Sequence, residues 1–165
     1  MSAAQSAYDF TVKDPKGDPV NLKEACGGKV CLFVNTALGC GFTPQFKGLQ
    51  EIHDQYSAKG FAVQAFPSND FNQDPGESAT IAAKVCERFR TTFPVYGKVH
   101  VKGKECEPLF AYLKENSPVM FSKEIWWNFE KVLVGRDGKV LKRYGSQTSP
   151  TSMTKDIEKA LATPA

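Results

Sequence analysis

Residues 32–46 read LFVNTALGCGFTPQF, and the fold turns on how this stretch is parsed. The apolar run from Lys29 to Asn35 is short and β-branched, the signature of a buried strand. It is followed by a lone thiol, Cys40, set between Gly39 and Gly41, and then by Thr43-Pro44. A threonine before a proline reads as an N-cap with proline at the first helical position. Phe46, Leu49, Ile52, His53 and Tyr56 recur at helical spacing, which predicts a helix over 44–58 that Gly60 ends. A cysteine thus stands where a strand stops and a helix starts.

Working outward, Tyr8–Val12 and Pro19–Leu22 flank Asp14-Pro15-Lys16-Gly17, a turn signal, and predict an N-terminal hairpin. Phe61–Phe66 is a second buried strand, and the Pro-, Ser-, Asn- and Asp-rich residues 67–76 are a loop. A helix is expected over 77–89, with Ile81, Val85 and Phe89 on one stripe. Residues 93–101 are extended and irregular, and 107–115 helical. Asn128–Val134 and Lys139–Tyr144 are strands joined by Arg136-Asp137-Gly138, a hairpin signal. Ser149-Pro150 caps a last helix carrying Met153, Ile157 and Leu161. This order predicts an α/β protein of thioredoxin-like plan: a central mixed sheet flanked by helices, with an N-terminal β-hairpin, in a single domain over 1–165. In that plan the loop leaving the first core strand is the functional corner, and Cys40 sits there.

Composition narrows the function. With 41% hydrophobic and 24% charged residues among 165, the chain suits one globular core. A net charge of +3 with scattered lysines does not make the basic stripe that nucleic-acid binding requires. No stretch has the length of a membrane-spanning helix, and neither end reads as a secretory signal or lipid anchor, so a cytoplasmic protein without a stable membrane anchor is expected. The five cysteines, Cys26, Cys31, Cys40, Cys86 and Cys106, are odd in number and contain no C-x-x-C pair. His53 and His100 show no zinc spacing with any of them, so neither metal nor organic cofactor is expected.

A thiol reacts as its thiolate, and free cysteine titrates near 8.5, so a reactive Cys40 has to be tuned by its surroundings. Helix-opening N–H groups favour an anion, and the flanking glycines leave room for a substrate. An inert, buried Cys40 is the alternative these residues alone leave open, and the reactive reading is favoured over it. Cys106, at the head of the 107–115 helix, is a lesser candidate for a lowered thiol. His53 reads as part of its helix's packing face, and Trp126 as a surface or packing aromatic. Lys47, Lys104 and Lys123 read as a solvated face.

Two further stretches, AFPSNDFNQDPGE at 65–77 and EIWWNFEKVLVGRDGKV at 124–140, bear on the choice. Together with NTALGCGFT at 35–43 they resemble the three signature stretches of the glutathione peroxidase family, in its cysteine-containing, thioredoxin-dependent branch. The likeness runs from Tyr8–Asp14 to Thr148-Ser149-Pro150. It implies that Cys40 is the peroxidatic cysteine, and that Gln73, Trp127 and Asn128 complete a catalytic tetrad around it. It also implies that Cys86, otherwise a half-buried helix cysteine beside Ala82, is the resolving thiol. The implied activity is reduction of hydrogen peroxide and organic or phospholipid hydroperoxides. Cys40 would pass through a sulfenic acid to a Cys40–Cys86 disulfide, which a thioredoxin-like protein would reduce in preference to glutathione. Because a disulfide needs Cα atoms within about 7 Å, the Cys86 helix is expected to unwind in part. A peroxide sensor passing its oxidation to a partner would use the same residues; a mere binding module would not need them.

The sequence departs from the family pattern in places. Ser68 stands where many relatives have cysteine, Asp70 where glutamine is common, and the loop before Gln73 is one residue short. Gly39 replaces a lysine or glutamine. The stretch between Phe110 and Trp126 lacks the insertion that tetrameric relatives use for contacts, so a monomer is expected.

Overall fold

The computed structural model describes residues 4–118 and 122–164. Residues 119–121, part of the Phe110–Trp126 stretch behind the expected monomer, lie outside the described residues. The elements are β1 (Thr11–Lys13), β2 (Pro19–Asn21), α1 (Leu22–Cys26), β3 (Val30–Thr36), α2 (Gln45–Tyr56), β4 (Phe61–Pro67), α3 (Ser78–Phe89), α4 (Pro108–Asn116), β5 (Lys131–Val134), β6 (Val140–Tyr144) and α5 (Thr154–Ala162).

β1 and β2 pair as the antiparallel N-terminal hairpin. The main sheet has the order β4-β3-β5-β6, with β3 parallel to β4 and antiparallel to β5. Side chains of β3 alternate between its two faces, as pleating requires. Val30, Leu32 and Val34 join a core with α2, α3 and α5, through Phe46, Leu49, Ile52, Ile81, Val85 and Ile157. Cys31 and Phe33 join a second core with α1 and α4, through Leu22, Leu109, Phe110 and Leu113. Helices therefore cover both sides of a mixed sheet, which is the thioredoxin-like fold expected from the element order.

Several element ends differ from expectation, each for a local reason. Tyr8 lies in a 3₁₀ turn, Ala7–Asp9, capped by Ser6, because its hydroxyl is drawn to the carbonyls of Lys29 (2.6 Å) and Gly135 (3.1 Å). Leu22 does not end β2 but opens α1, a helix the sequence reading missed; Asn21 caps it by accepting the Lys23 and Glu24 N–H groups. The strand expected from Asn128 begins only at Lys131, because Phe129 has φ of 64° and breaks the extended run. The last helix opens with a 3₁₀ turn, Pro150–Met153, and Ser149 caps it without a side-chain bond. His53 packs as expected: its ring lies 5.8 Å from that of Phe93, and its Nδ1 accepts the Val63 N–H.

Candidate active site

Cys40 lies beyond the end of β3 and is 7% exposed. The expected N-cap at Thr43 is not what forms. Consecutive turns, Thr43 N–H to Cys40 O (3.1 Å) and Gln45 N–H to Phe42 O (2.8 Å), separate the cysteine from α2. Pro44 occupies the cap position without a side-chain bond. The Thr43 hydroxyl instead accepts the Cys40 N–H at 3.1 Å and donates to Ala37 O at 2.8 Å. That pair of bonds closes the cysteine loop from within. The sulfur accepts the Phe42 N–H at 3.3 Å, so it already has one donor able to stabilise negative charge.

Gln73 comes to this loop from the β4–α3 connection. Its backbone carbonyl accepts the Gly39 N–H at 2.8 Å. A Cβ on residue 39 would stand 2.8 Å from that same oxygen, closer than a side chain tolerates. Gly39 is therefore required by the approach of the Gln73 loop, and not by substrate access as the sequence suggested. Gly41 has open space around it and fits the access role. The short loop before Gln73 is accommodated by Asn72, which takes a left-handed conformation at φ 61°. Asp70, in the glutamine position, anchors the loop from outside: its carboxylate accepts the Val101 and Lys102 N–H groups (2.6 and 3.2 Å) and pairs with His100 Nδ1 (2.6 Å).

The third stretch closes the arrangement. Asn128 is fully buried, and its Nδ2 donates to Gln73 Oε1 at 3.0 Å. Asn35, next to last in β3, donates from Nδ2 to Trp127 O (3.0 Å) and accepts the Phe129 N–H through its backbone carbonyl (2.6 Å). Trp127 is 37% exposed, with its ring 5.3 Å from that of Phe71. Trp126 is 69% exposed, which decides for the surface aromatic over the packing one. Between these tryptophans with Phe42 and the Gly145–Gln147 loop runs an open groove of about 350 Å³.

Two supports escaped the sequence reading. Glu130 Oε2 accepts the N–H groups of Trp126 (2.5 Å) and Trp127 (3.2 Å), while Oε1 pairs with Arg143 at 2.7 Å, both side chains nearly buried. Lys131 is fully buried, and its ammonium donates to the carbonyls of Gly145, Ser146 and Thr148, the last at 2.7 Å. Burial lowers Lys131 to about 8. Neither residue carries a motif of its own; only the β5–β6 register, Val132 opposite Arg143, signals the Glu130–Arg143 pairing.

The remaining thiols stand apart. Cys86 is a free, exposed thiol on α3 rather than a half-buried one, and its Sγ–H donates to Thr91 O at 3.8 Å. Cys26 and Cys31 are buried in the α1/α4 core, where contact with Cys31 and burial push Cys26 well up. Cys106 precedes α4 instead of opening it, and burial pushes its thiol up, so this lesser candidate is not a lowered thiol. Among the described residues no group of three or more His, Cys, Asp or Glu is placed to hold a metal, and no helix is long and apolar enough to cross a membrane.

The profile of the family described as "Glutathione peroxidase" matches residues 7–114. The chain belongs to the glutathione peroxidase family. Membership makes it a peroxidase that works through a thiol. It is 44% identical to a protein of Mesembryanthemum crystallinum named "Probable phospholipid hydroperoxide glutathione peroxidase", over 96% of this chain and 94% of that one. It is 43% identical to the "Glutathione peroxidase-like peroxiredoxin gpx1" of Schizosaccharomyces pombe, over 93% of this chain and 98% of that one. The solved structure "Crystal structure of Trgpx in apo form" superposes with a TM-score of 0.82 at 37% identity, covering 98% of this chain and 99% of that one. The three stretches read as family signatures are the ones the fold draws together: Gly39 and Cys40 from the first, Gln73 from the second, Trp127 and Asn128 from the third.

Proposed function

We propose that this glutathione peroxidase reduces hydrogen peroxide and organic hydroperoxides, phospholipid hydroperoxides among them, with Cys40 as nucleophile and Cys86 as resolving thiol. Cys40 sulfur, as thiolate, attacks one peroxide oxygen; the O–O bond breaks, the cysteine becomes a sulfenic acid, and the other oxygen leaves as water or alcohol after taking a proton. The indole N–H of Trp127 and the carboxamides of Gln73 and Asn128 are donors suited to the sulfur and to the leaving oxygen. Cys86 then attacks the sulfenic sulfur, water leaves, and a Cys40–Cys86 disulfide forms. A dithiol protein of thioredoxin type reduces it by exchange, because an internal disulfide suits a dithiol reductant. The name of the plant relative supports the phospholipid substrate, and the word peroxiredoxin in the yeast relative's name supports the protein reductant. We place the enzyme in a reducing, cytoplasmic setting, where the cysteines outside the Cys40–Cys86 cycle stay free thiols, and read it as a monomer.

One observation carries the reading. The Asn128–Gln73 bond and the Gly39–Gln73 bond tie three distant stretches together beside a single buried thiol. A packing role for Cys40 would not call for the buried Asn128 carboxamide bonded to that of the half-buried Gln73 on the loops beside it.

The test is to titrate the reduced protein with one equivalent of hydroperoxide and to map its disulfides by peptide mass spectrometry, alongside Cys86→Ser. The expected product is a Cys40–Cys86 bond that a thioredoxin reduces with turnover, and a Cys86→Ser protein that stops at the sulfenic acid. An untouched Cys86 thiol in the oxidised wild type would refute the resolving role. An untouched Cys40 would refute the whole mechanism.

A further inference from the structure

Asp74 directly follows Gln73, and its side chain turns back to the loop that carries Cys40. Its Oδ1 accepts the Leu38 N–H at 3.4 Å, while one residue along, the Gly39 N–H bonds Gln73 O at 2.8 Å. Its own N–H donates to Asn69 Oδ1 at 2.9 Å, which fixes the carboxyl in this direction. The side chain is 2% exposed, and Oδ2 is buried with no hydrogen-bond partner among the described residues. A buried carboxylate oxygen without a donor is costly. Burial accordingly pushes the Asp74 carboxyl up to about 6, against the pull of the Leu38 N–H and of Lys98 and Lys84.

Few other charges face this carboxyl. α3 brings Lys84, and the 93–101 segment brings Lys98, whose Nζ lies on Gly76 O at 2.9 Å. The Ala37–Thr43 loop has Cys40 as its one titratable residue, and Trp127-Asn128-Phe129 has none. Within its own loop, Asp70 is turned away to His100, Val101 and Lys102.

At 3.4 Å the bond to Leu38 is long for N–H···O, so its strength depends on the acceptor's charge. Charge-assisted hydrogen bonds are about twice as strong as neutral ones. We propose that Asp74 is a positioning residue whose ionised carboxylate ties the Cys40 loop to the Gln73 loop, and whose protonation slackens that tie and slows the attack of Cys40 on peroxide. This rests on the reading of Cys40 as the attacking thiol.

The experiment is stopped-flow oxidation of Cys40 by hydrogen peroxide in the full-length reduced protein, from pH 5 to 7.5. Wild type is compared with Asp74→Asn and Asp74→Leu. Asparagine keeps a neutral acceptor for the Leu38 N–H at every pH; leucine keeps none. Asp74→Asn is expected to react about threefold more slowly than wild type at pH 7.5, with the ratio closing towards one by pH 5. Asp74→Leu is expected to be at least thirtyfold slower at pH 7.5. A wild-type to Asn ratio that is constant across the range overturns the proposal, as does a Leu variant as fast as wild type. If the Leu variant fails to fold, the Asn ratio decides alone. A wild type that reacts while the ratio stays flat sinks Asp74 only; a wild type whose Cys40 thiol survives peroxide sinks the Cys40 reading and this one with it.

Discussion

Glu130 holds the backbone of both tryptophans with one carboxylate, and Arg143 holds Glu130. Arg143 also donates to Lys123 O at 2.7 Å, so it joins the segment before the tryptophans to the end of β6. Removing one member of a nearly buried ion pair strands the other, at a cost of about 3–5 kcal/mol. Glu130→Ala is therefore expected to lose stability on that scale in urea unfolding at pH 7. Its peroxidase rate, measured on the folded protein, should fall more than tenfold because Trp127 loses its backbone anchor. A variant with unchanged unfolding midpoint would show that the pair contributes nothing. At this scale the sequence was a partial guide. Cys40, Gln73, Trp127 and Asn128 stand out because their residue types carry chemistry. Glu130, Arg143 and Asn35 are ordinary polar residues whose importance comes from the partner each meets. Gly39 is the sharpest case: it reads as room for a substrate until the Gln73 carbonyl is found 2.8 Å from where its Cβ would be.

The elements divide into those that fix the site and one that would have to give way for Cys86 to reach Cys40. β3 and α2 are anchored on both sides of Cys40, in a core of Leu32, Val34, Phe46 and Leu49. The end of α3 is held less firmly. Ile81 and Val85 are buried, but Cys86 is exposed and Arg90 closes the helix in a left-handed conformation, with φ of 54°. Gln50 of α2 takes over just beyond, accepting the Thr92 N–H at 2.9 Å and donating to the Thr92 hydroxyl at 2.8 Å. For Cys86 to meet Cys40, the turn between Val85 and that anchor is the part that would have to unwind, and with it the packing of Phe89 on Phe46, whose rings lie 5.1 Å apart. Oxidation by one equivalent of peroxide should thus raise amide hydrogen exchange at 85–90 at least tenfold and leave α2 protected. Unchanged exchange in an oxidised, disulfide-bonded protein would exclude helix unwinding as the route. The helices and strands, apart from the five-residue α1, were legible from hydrophobic period and turn residues. Their ends were not, since Tyr8 and Thr43 are diverted by hydrogen bonds to Gly135 and Ala37, which no local pattern encodes.

Across the whole molecule, two buried charges set a pH dependence. Asp74 is raised from 3.8 to about 6, so between those values the folded protein holds a proton that the unfolded chain has released. Stability from this group is therefore greatest at low pH and falls as pH rises through about 6, by roughly 3 kcal/mol in full. Lys131, lowered from 10.5 to about 8, acts in the opposite range: its cost is present below 8 and is relieved as pH rises towards 10.5. Asp74→Asn should melt higher than wild type at pH 7.5, by about 5 °C for 1–3 kcal/mol recovered. The difference should vanish near pH 4, as thermal melts at the two pH values will tell; a gain that is the same at both would mean Asp74 ionises normally in the fold. Stability gained together with a slower peroxide reaction would mark the ionised carboxylate as kept for the site. The amino-acid sequence by itself determined every strand and helix but the short α1, their order, the mixed sheet and the family, because periodicity, turn residues and three motif stretches are local properties of the chain. Tertiary structure alone decided that Gln73 reaches Asn128, that Gly39 cannot be larger, that Asp74 spans two loops and that Cys86 stands exposed. Each of these depends on which segments the fold brings within a few ångströms, and hydrogen bonding and desolvation act only at that range.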